Sequence, residues 1–284
     1  MRVLVTGAGG QLGMNVVHVS QTSGDDVIAA RHKDLDVSDR GAVHGAISAL
    51  RPDVVINCAA WTAVDACESD PDRAMAHNAF AVRWLAESCD RANARLVHIS
   101  TDYVFDGLLD RPYNEFDLPA PQSIYGASKL AGEREALALG TSATIVRTSW
   151  VCSENGSNMV KTIMRLAVTQ PEVAFVDDQI GNPTFTADLA PMIRQLAVDR
   201  RSGVHHVTNQ SSTSWYGFAR EVVAAMGKDP EMVRPITTAE LQPPRPARRP
   251  ANSVLDNMVL RNAGLTLLRD FREPLGETVK ALSK

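Results

Sequence analysis

The sequence predicts an α/β fold in which a doubly wound parallel sheet carries a smaller, interleaved C-terminal lobe. Short apolar runs alternate with segments of helical periodicity through the first half of the 284-residue chain. Continuous apolar runs of this kind are typical of parallel strands that are covered on both faces. The predicted strands lie at residues 3–5, 27–30, 54–56, 96–99 and 144–146.

Helices are expected between these strands and again in the second half. In the first half they are predicted at 11–21, 38–50, 71–92 and 123–139, with Ser38 and Ser123 as candidate N-caps. In the second half, helical periodicity returns at 159–168, 187–198, 215–226 and 269–282.

The strict alternation of strands and helices ends after Trp150. Polar loops follow at 153–157 and 177–184, and a Pro/Arg-rich stretch spans 243–250. We therefore expect residues 1–150 to form the main α/β domain. Residues 151–284 are expected to form mainly a second lobe, with some segments returning to the sheet.

Composition excludes several classes of function. A net charge of −4 gives no general attraction to nucleic acid or to an anionic membrane, so neither is expected as a partner. Without an apolar signal segment or an apolar span, the expected location is cytoplasmic. The cysteines show neither metal-ligand spacing nor a disulfide framework, so we expect reduced thiols and no bound metal. They are Cys58, Cys67, Cys89 and Cys152.

A glycine-rich turn between the first strand and the first helix predicts a dinucleotide site. Gly7 permits the tight turn, Gly10 allows close approach of a pyrophosphate, and Gly13 allows the helix to pack on the strand. Gln11 and Leu12 open the helix, whose N-terminal amides and dipole favour an anion. Residues 1–150 are therefore expected to be a Rossmann-type dinucleotide-binding domain.

The end of the second strand bears on the choice of cofactor. An NAD-selective site usually has an acidic residue there, but this chain has Arg31. A guanidinium can pair with a 2′-phosphate, which favours NADPH, with NADH still possible. A solvated surface arginine is the alternative interpretation.

Tyr125 and Lys129 stand four residues apart in a predicted helix and therefore share one face. A nearby ammonium favours the phenolate, so we expect Lys129 to lower the pKa of Tyr125. Such a phenol suits proton transfer to a carbonyl oxygen. This ordered pair after a glycine-rich turn indicates an oxidoreductase.

With the segments at 100–107, 147–150, 178–184 and 249–255, the chain resembles the extended short-chain dehydrogenase/reductase superfamily. Within it, the chain is similar to the family of dTDP-4-dehydrorhamnose reductases. The resemblance implies NADPH-dependent reduction of the 4-keto group of a dTDP-4-keto-6-deoxy-L-sugar. It also implies that Tyr125 is the acid, that Lys129 holds the nicotinamide ribose, and that Thr101 donates a hydrogen bond to the same sugar oxygen.

The same resemblance suggests further cofactor contacts. Asp36 and Val37 correspond to an adenine-contacting pair, the turn at Ala59, Ala60 and Trp61 lets the cofactor lie close, and Asn78 is a candidate for ordering Lys129. The complete predicted cofactor set is Gly7, Gly10, Gln11, Leu12, Gly13, Arg31, Asp36, Val37, Ala59, Ala60, Trp61, Asn78, Ser100, Tyr125 and Lys129.

A nucleotide sugar needs its own contacts in a chain of negative net charge. Trp150 is expected to pack on the sugar ring, and Arg249, with Arg248 and more weakly Arg245, to hold the phosphates. The predicted substrate set is Thr101, Asp102, Trp150, Gln179, Asn182 and Arg249. The expected partner is thus a small-molecule nucleotide sugar, bound by a monomer or homodimer.

Two departures from the family pattern leave the exact sugar open. Residues 151–153 read Val-Cys-Ser, and Met159 stands where phenylalanine is usual. A related nucleotide deoxyketosugar is therefore an alternative substrate. A 4,6-dehydratase is disfavoured because Tyr103 occupies the position of its glutamate. A 4-epimerase would share the tyrosine and lysine but retain its cofactor. A non-catalytic regulatory subunit, like that of methionine adenosyltransferase, is the alternative from another class.

Overall fold

The computed structural model describes residues 1–138 and 143–283. Its centre is a six-stranded sheet in the order β10-β5-β4-β3-β1-β2, with every neighbouring pair parallel. The strands are β1 (Arg2–Thr6), β2 (Asp26–Ala30), β3 (Val54–Asn57), β4 (Arg95–Thr101), β5 (Ala143–Thr148) and β10 (Gly203–His206). The α/β doubly wound prediction is confirmed, and all five predicted strands are present.

Helices cover both faces of this sheet. In the first half they are α1 (Gln11–Thr22), α2 (Arg40–Leu50), α3 (Val64–Ser69), α4 (Pro71–Met75), a π-helical turn (Ala76–Phe80), α5 (Ala81–Ala92) and α6 (Ile124–Ala138). A 3₁₀ turn spans Asp102–Val104. The predicted cap of α6 is confirmed, because Ser123 Oγ accepts a hydrogen bond from the Gly126 amide at 3.1 Å. The predicted end of this helix at Leu139 lies outside the described residues.

The predicted cap of α2 was wrong. The N-cap is Asp39, whose carboxylate accepts a hydrogen bond from the Ala42 amide at 3.0 Å. Ser38 instead donates from its backbone amide and its hydroxyl to Asp36 Oδ1, at 2.9 and 2.7 Å. Ser38 therefore closes the loop before the helix, and the helix begins at Arg40 rather than at Ser38.

The second half builds a lobe with its own apolar core. Its elements are β6 (Val151–Cys152), α7 (Met159–Thr169), β7 (Val173–Val176), β8 (Ile180–Gly181), β9 (Thr184–Phe185), β11 (Thr213–Ser214), α9 (Trp215–Ala225), β12 (Val233–Ile236), α10 (Met258–Asn262) and α11 (Arg272–Leu282), with 3₁₀ turns at Pro230–Met232 and Thr238–Glu240. Phe175, Phe185, Phe218 and Phe271 are among the side chains that fill this core.

Two segments of the second half return to the central sheet. Helix α8 (Thr186–Val198) packs Leu189, Ile193 and Leu196 into the same core as Val3 and Val5 of β1. Strand β10 adds to the edge of β5, with Gly203 opposite Thr144. Because α8 and β10 belong to the second half but pack on the central sheet, they join the two parts of the molecule.

No helix in the described ranges is long and apolar enough to cross a membrane. Within the same ranges, no group of three or more histidine, cysteine or acidic side chains is arranged to hold a metal ion.

Candidate active site

A cavity of about 570 Å³ opens where the carboxyl ends of the central strands meet the second lobe. Ligands of open α/β sheets bind at this edge. Its lining includes the glycine-rich turn, the pair Tyr125 and Lys129, and the indoles of Trp150 and Trp215. The sequence-predicted catalytic residues, Thr101 included, therefore line one cavity.

The glycine-rich turn is built for close approach. Gly7 has a φ of +66°, and a Cβ there would lie 2.6 Å from the Ala59 amide nitrogen, so only glycine fits. Gly10 is the N-cap of α1, with no side-chain cap and no acidic residue in the first turn of the helix. The helix amides are thus left available to an anion, and this turn fits a pyrophosphate.

Gln11 connects the turn to the second lobe. Its Nε2 donates to the Ser157 carbonyl at 3.0 Å, and its Oε1 accepts from Asn158 Nδ2 at 3.0 Å. Leu12 and Ala60 line the cavity beside it. The carboxamide of Gln11 therefore ties the start of α1 to the loop in which Gly156 and Ser157 line the cavity.

The predicted adenosine-side residues lie at the end of β2. Arg31 is exposed, and its aliphatic stem passes 3.5 Å from where a Gly9 Cβ would stand. Asp36 is half-buried, and its pKa is lowered by the hydrogen bonds it accepts from Ser38. Val37 is buried. Within residues 1–138 and 143–283 the Arg31 guanidinium has no ion-pair partner, and its stem passes Gly9 of the glycine-rich turn, where it could reach an anion.

A π-helical turn places Asn78 next to the loop that follows β3. Its Oδ1 accepts from the Trp61 amide at 2.8 Å, and its Nδ2 donates to the Trp61 carbonyl and to Ser128 Oγ, both at 3.0 Å. Insertions of this kind often occur at functional sites. The Asn78 side chain anchors the loop and α6, rather than contacting Lys129 directly.

The phenol of Tyr125 is buried at the cavity wall, with 8% of the residue exposed. Tyr103 packs edge-on against its ring with centroids 5.6 Å apart. Burial raises the pKa of Tyr125 above its ordinary value, and the nearby Thr101 hydroxyl opposes the rise. The phenol is therefore fully protonated at neutral pH.

Lys129 lies behind the phenol, and its amine is occupied elsewhere. Nζ donates to the Ile99 carbonyl at 2.7 Å and stands 3.3 Å from His98 Nε2. The expectation that Lys129 lowers the pKa of Tyr125 was wrong for this arrangement, because burial dominates and the ammonium is not directed at the phenol. Burial instead lowers the pKa of Lys129 itself to about 8.

Thr101 and Asp102 form a polar pair next to Tyr125. The Thr101 hydroxyl donates to Asp102 Oδ1 at 2.9 Å and accepts from the Tyr103 amide at 3.2 Å. Burial raises the pKa of Asp102 to about 6. Both side chains face the cavity in which Tyr125 lies.

Ser100 also lines the cavity, but its hydroxyl is committed to a buried carboxylate. It donates to Glu133, which also pairs with Arg147 through bonds of 2.9 and 2.7 Å. This network supports the end of β4 from beneath. Any contact of Ser100 with a cofactor would therefore come from its backbone.

Two stacked indoles form part of the cavity wall. Trp150 and Trp215 are parallel within 5°, with ring centroids 3.5 Å apart. Trp150, predicted from sequence, is therefore covered on one face by Trp215, which sequence reasoning missed. Both line the cavity. The sequence signal was weak, since Trp215 opens a helix and resembles an ordinary core residue.

A second cavity of about 440 Å³ is lined by the Pro/Arg-rich stretch. It adjoins the first through Arg249, whose side chain meets Tyr103 of the first cavity. Arg245, Arg248 and Arg249 all border it. Arg249 forms a two-point ion pair with Asp65, at 2.5 and 2.7 Å. Asp65 was missed from sequence because its partner is 184 residues away.

Of the two carboxamide side chains predicted to contact substrate, Gln179 borders the arginine cavity and Asn182 does not. Gln179 lines it and donates to Thr238 Oγ1 at 2.9 Å. Asn182 is buried, and its carboxamide bonds to the Ser211 carbonyl and the Leu255 amide, both at 2.9 Å. Asn182 therefore joins three loops and lies behind the cavity walls.

Comparison with known proteins shows the family to which the chain belongs. A sequence model of the family described as "RmlD substrate binding domain" matches residues 1–284. A dTDP-4-dehydrorhamnose reductase of Streptomyces griseus is 44% identical, covering 99% of this chain and 94% of the relative. A probable dTDP-4,6-dihydroxy-2-methyloxan-3-one 4-ketoreductase of Streptomyces antibioticus is also 44% identical, over 98% of this chain and 94% of the relative.

The fold has a close counterpart among solved structures. The dTDP-4-dehydrorhamnose reductase of Bacillus anthracis, solved in complex with NADP, superposes with a TM-score of 0.93 at 37% identity. The match covers 99% of this chain and 98% of that one. The chain therefore belongs to the RmlD family, together with the dTDP-4-dehydrorhamnose reductases.

Proposed function

We propose that this protein is an NADPH-dependent oxidoreductase that reduces the 4-keto group of a dTDP-4-keto-6-deoxy-L-sugar, converting dTDP-4-dehydro-L-rhamnose to dTDP-L-rhamnose. The observation that carries the proposal is one cavity shared by the glycine-rich turn, Tyr125, Lys129 and Thr101. A relative of that name with 44% identity across 99% of the chain supports the same substrate.

The cofactor would be held by residues 1–150. The open amides at the start of α1 suit the pyrophosphate, and Arg31 suits a 2′-phosphate, which favours NADPH. When bound, the nicotinamide supplies the hydride. Lys129, which lines the same cavity, would turn its amine toward the ribose beside the ring. The NADP in the B. anthracis relative is consistent with this choice, and NADH remains the secondary cofactor.

Tyr125 is the proposed proton donor. Reduction turns the carbonyl oxygen into a developing alkoxide, which takes a proton from a neutral phenol. Because burial raises the pKa of Tyr125, the phenol keeps its proton until that oxygen becomes basic. Thr101 assists at the same oxygen when its hydroxyl rotates away from Asp102.

The nucleotide sugar would lie across both cavities. Trp150, stiffened by Trp215, offers a flat surface to the sugar, and Asp102 offers a polar contact. The arginines of the neighbouring cavity, Arg249 foremost, suit the two phosphates. We infer that residues 151–284 supply most of this substrate lobe, while α8 and β10 complete the sheet.

A second candidate is the ketoreduction of a different dTDP-linked deoxyketosugar. The S. antibioticus relative, equally similar to this chain, bears such a name. Both candidates use Tyr125 in the same way. They differ in the arrangement of hydroxyl groups on the sugar that would lie against Trp150.

One assay tests the proposal. Purified protein is mixed with enzymatically generated dTDP-4-dehydro-L-rhamnose, and NADPH or NADH oxidation is followed at 340 nm. Turnover with NADPH, with dTDP-L-rhamnose identified by mass spectrometry and NMR, is the expected result. Turnover only with another dTDP-ketosugar would support the second candidate. No oxidation with either class of sugar would favour a regulatory, non-catalytic role.

A further inference from the structure

Three buried polar side chains contact one another in a row that ends at Lys129. Asn57 ends β3, His98 lies in β4, and Lys129 lies in α6; each has no more than 2% of its surface exposed. Asn57 Nδ2 is 3.0 Å from His98 Nδ1, and His98 Nε2 is 3.3 Å from Lys129 Nζ. Neither Asn57 nor His98 has a place in the proposed reaction so far.

The orientation of the Asn57 carboxamide is fixed by its neighbours. Its Oδ1 accepts from the Ala59 amide at 3.1 Å and from Thr6 Oγ1 at 2.7 Å. A backbone N–H can only donate, so a flipped carboxamide would set its NH₂ group against the Ala59 N–H. The NH₂ group of Asn57 must therefore face His98.

This orientation fixes the tautomer of His98. Its Nδ1 has to accept from the Asn57 NH₂ group, and burial holds the pKa of His98 well below its ordinary value. A neutral imidazole carries one N–H, so the hydrogen is on Nε2. That N–H points at Lys129 Nζ. An ammonium there would place two donors face to face, whereas a neutral amine would accept the hydrogen bond.

We propose that Asn57 and His98 are positioning residues that hold Lys129 as a hydrogen-bond acceptor and thereby favour its neutral amine over the ammonium. The amine lone pair accepts from His98 Nε2–H, and one of its own hydrogens goes to the Ile99 carbonyl. Protonation of Lys129 breaks the contact with His98.

The other ionisable groups around Lys129 do not overturn this arrangement. Glu133 favours the ammonium, but its carboxylate already makes two hydrogen bonds to the Arg147 guanidinium. Tyr125 precedes Lys129 by one helical turn, and burial keeps this phenol neutral. Burial is the largest influence on Lys129 and lowers its pKa to about 8, in the direction that the tautomer argument requires.

The tautomer can be observed directly in the whole protein. Long-range ¹H–¹⁵N spectra of histidine-labelled wild-type protein separate protonated from unprotonated ring nitrogens, and His98→Phe assigns the signal. We expect Nδ1 of His98 to be unprotonated and Nε2 to carry the hydrogen. A hydrogen on Nδ1 would overturn the proposal, and this measurement on wild type needs no variant to be active.

A double-mutant cycle tests the coupling to Lys129. Asn57→Asp supplies an acceptor to His98 Nδ1, so the imidazole should switch to its Nδ1–H form and let Nε2 accept from an ammonium. The pKa of Lys129, measured by NMR of labelled lysines, should then rise by about one unit or more. In the His98→Phe background the rise should be less than half as large. Equal shifts in both backgrounds, or an unchanged tautomer in Asn57→Asp, would overturn the proposal.

The consequence for turnover rests on the proposed function. The pH at which kcat falls on the alkaline side of the kcat–pH profile should be higher in Asn57→Asp than in wild type. The size of this shift should match the rise in the pKa of Lys129. An inactive wild-type protein with the expected tautomer would contradict the reductase assignment alone. An active reductase with the opposite tautomer would contradict the present inference alone.

Discussion

Replacement of Lys129 by methionine should change how stability depends on pH. Burial lowers the pKa of Lys129 from 10.5 to about 8, and each unit corresponds to about 1.4 kcal/mol. Keeping a proton on this amine in the folded state therefore costs about 3 kcal/mol at pH 7. Methionine has a similar length and carries no proton.

The direction of this pH dependence follows from the number of protons that Lys129 binds in the folded and the unfolded states. Between about pH 8 and pH 10.5 the unfolded chain holds the Lys129 proton and the folded protein does not, so this contribution to the free energy of unfolding rises with pH. The stability of Lys129→Met relative to wild type should thus be greatest at pH 7 and decline toward pH 10. Urea unfolding followed by tryptophan fluorescence at several pH values measures it. A difference independent of pH would refute the argument.

Three further predictions concern Arg31, Arg249 and Cys58. Arg31→Ala should weaken NADPH binding by about 10- to 100-fold and NADH binding by about twofold or less, with the exposed Arg91→Ala as control; equal losses would remove Arg31 from the 2′-phosphate site. Arg249→Met should weaken the binding of dTDP, measured by calorimetry. Asp65→Asn removes the carboxylate that pairs with Arg249, so this variant should bind dTDP more tightly. The Cys58 thiol, its pKa raised to about 12 by burial, should react with iodoacetamide at pH 8 over about 100-fold more slowly than in the urea-unfolded chain. Comparable alkylation rates by mass spectrometry would contradict it.

Features governed by local patterns were predictable from the sequence. The five predicted strands are continuous apolar runs, and the turn at Gly7 follows directly from the lack of a side chain. Strand β10 was missed because its four residues, Gly203–His206, include two histidines and resemble a polar loop. The π-helical turn at Ala76–Phe80 was missed because it interrupts an otherwise ordinary helical pattern.

Contacts between distant segments were not predictable in the same way. The four-residue spacing placed Tyr125 and Lys129 on one face of α6, and both line the cavity. It could not show that the long lysine side chain turns toward Ile99 and His98, because those partners come from β4. The burial that raises the pKa of Tyr125 likewise depends on the packing of the whole molecule.

The most direct test of the proposed mechanism is the Tyr125→Phe variant in single-turnover reduction with saturating NADPH and dTDP-4-dehydro-L-rhamnose. This change removes only the phenolic hydroxyl that is proposed to protonate the sugar oxygen. We expect the rate of hydride transfer to fall by about 10²- to 10⁴-fold while the Kd for NADPH stays nearly constant. A rate equal to that of wild type would contradict the assignment of Tyr125 as the acid.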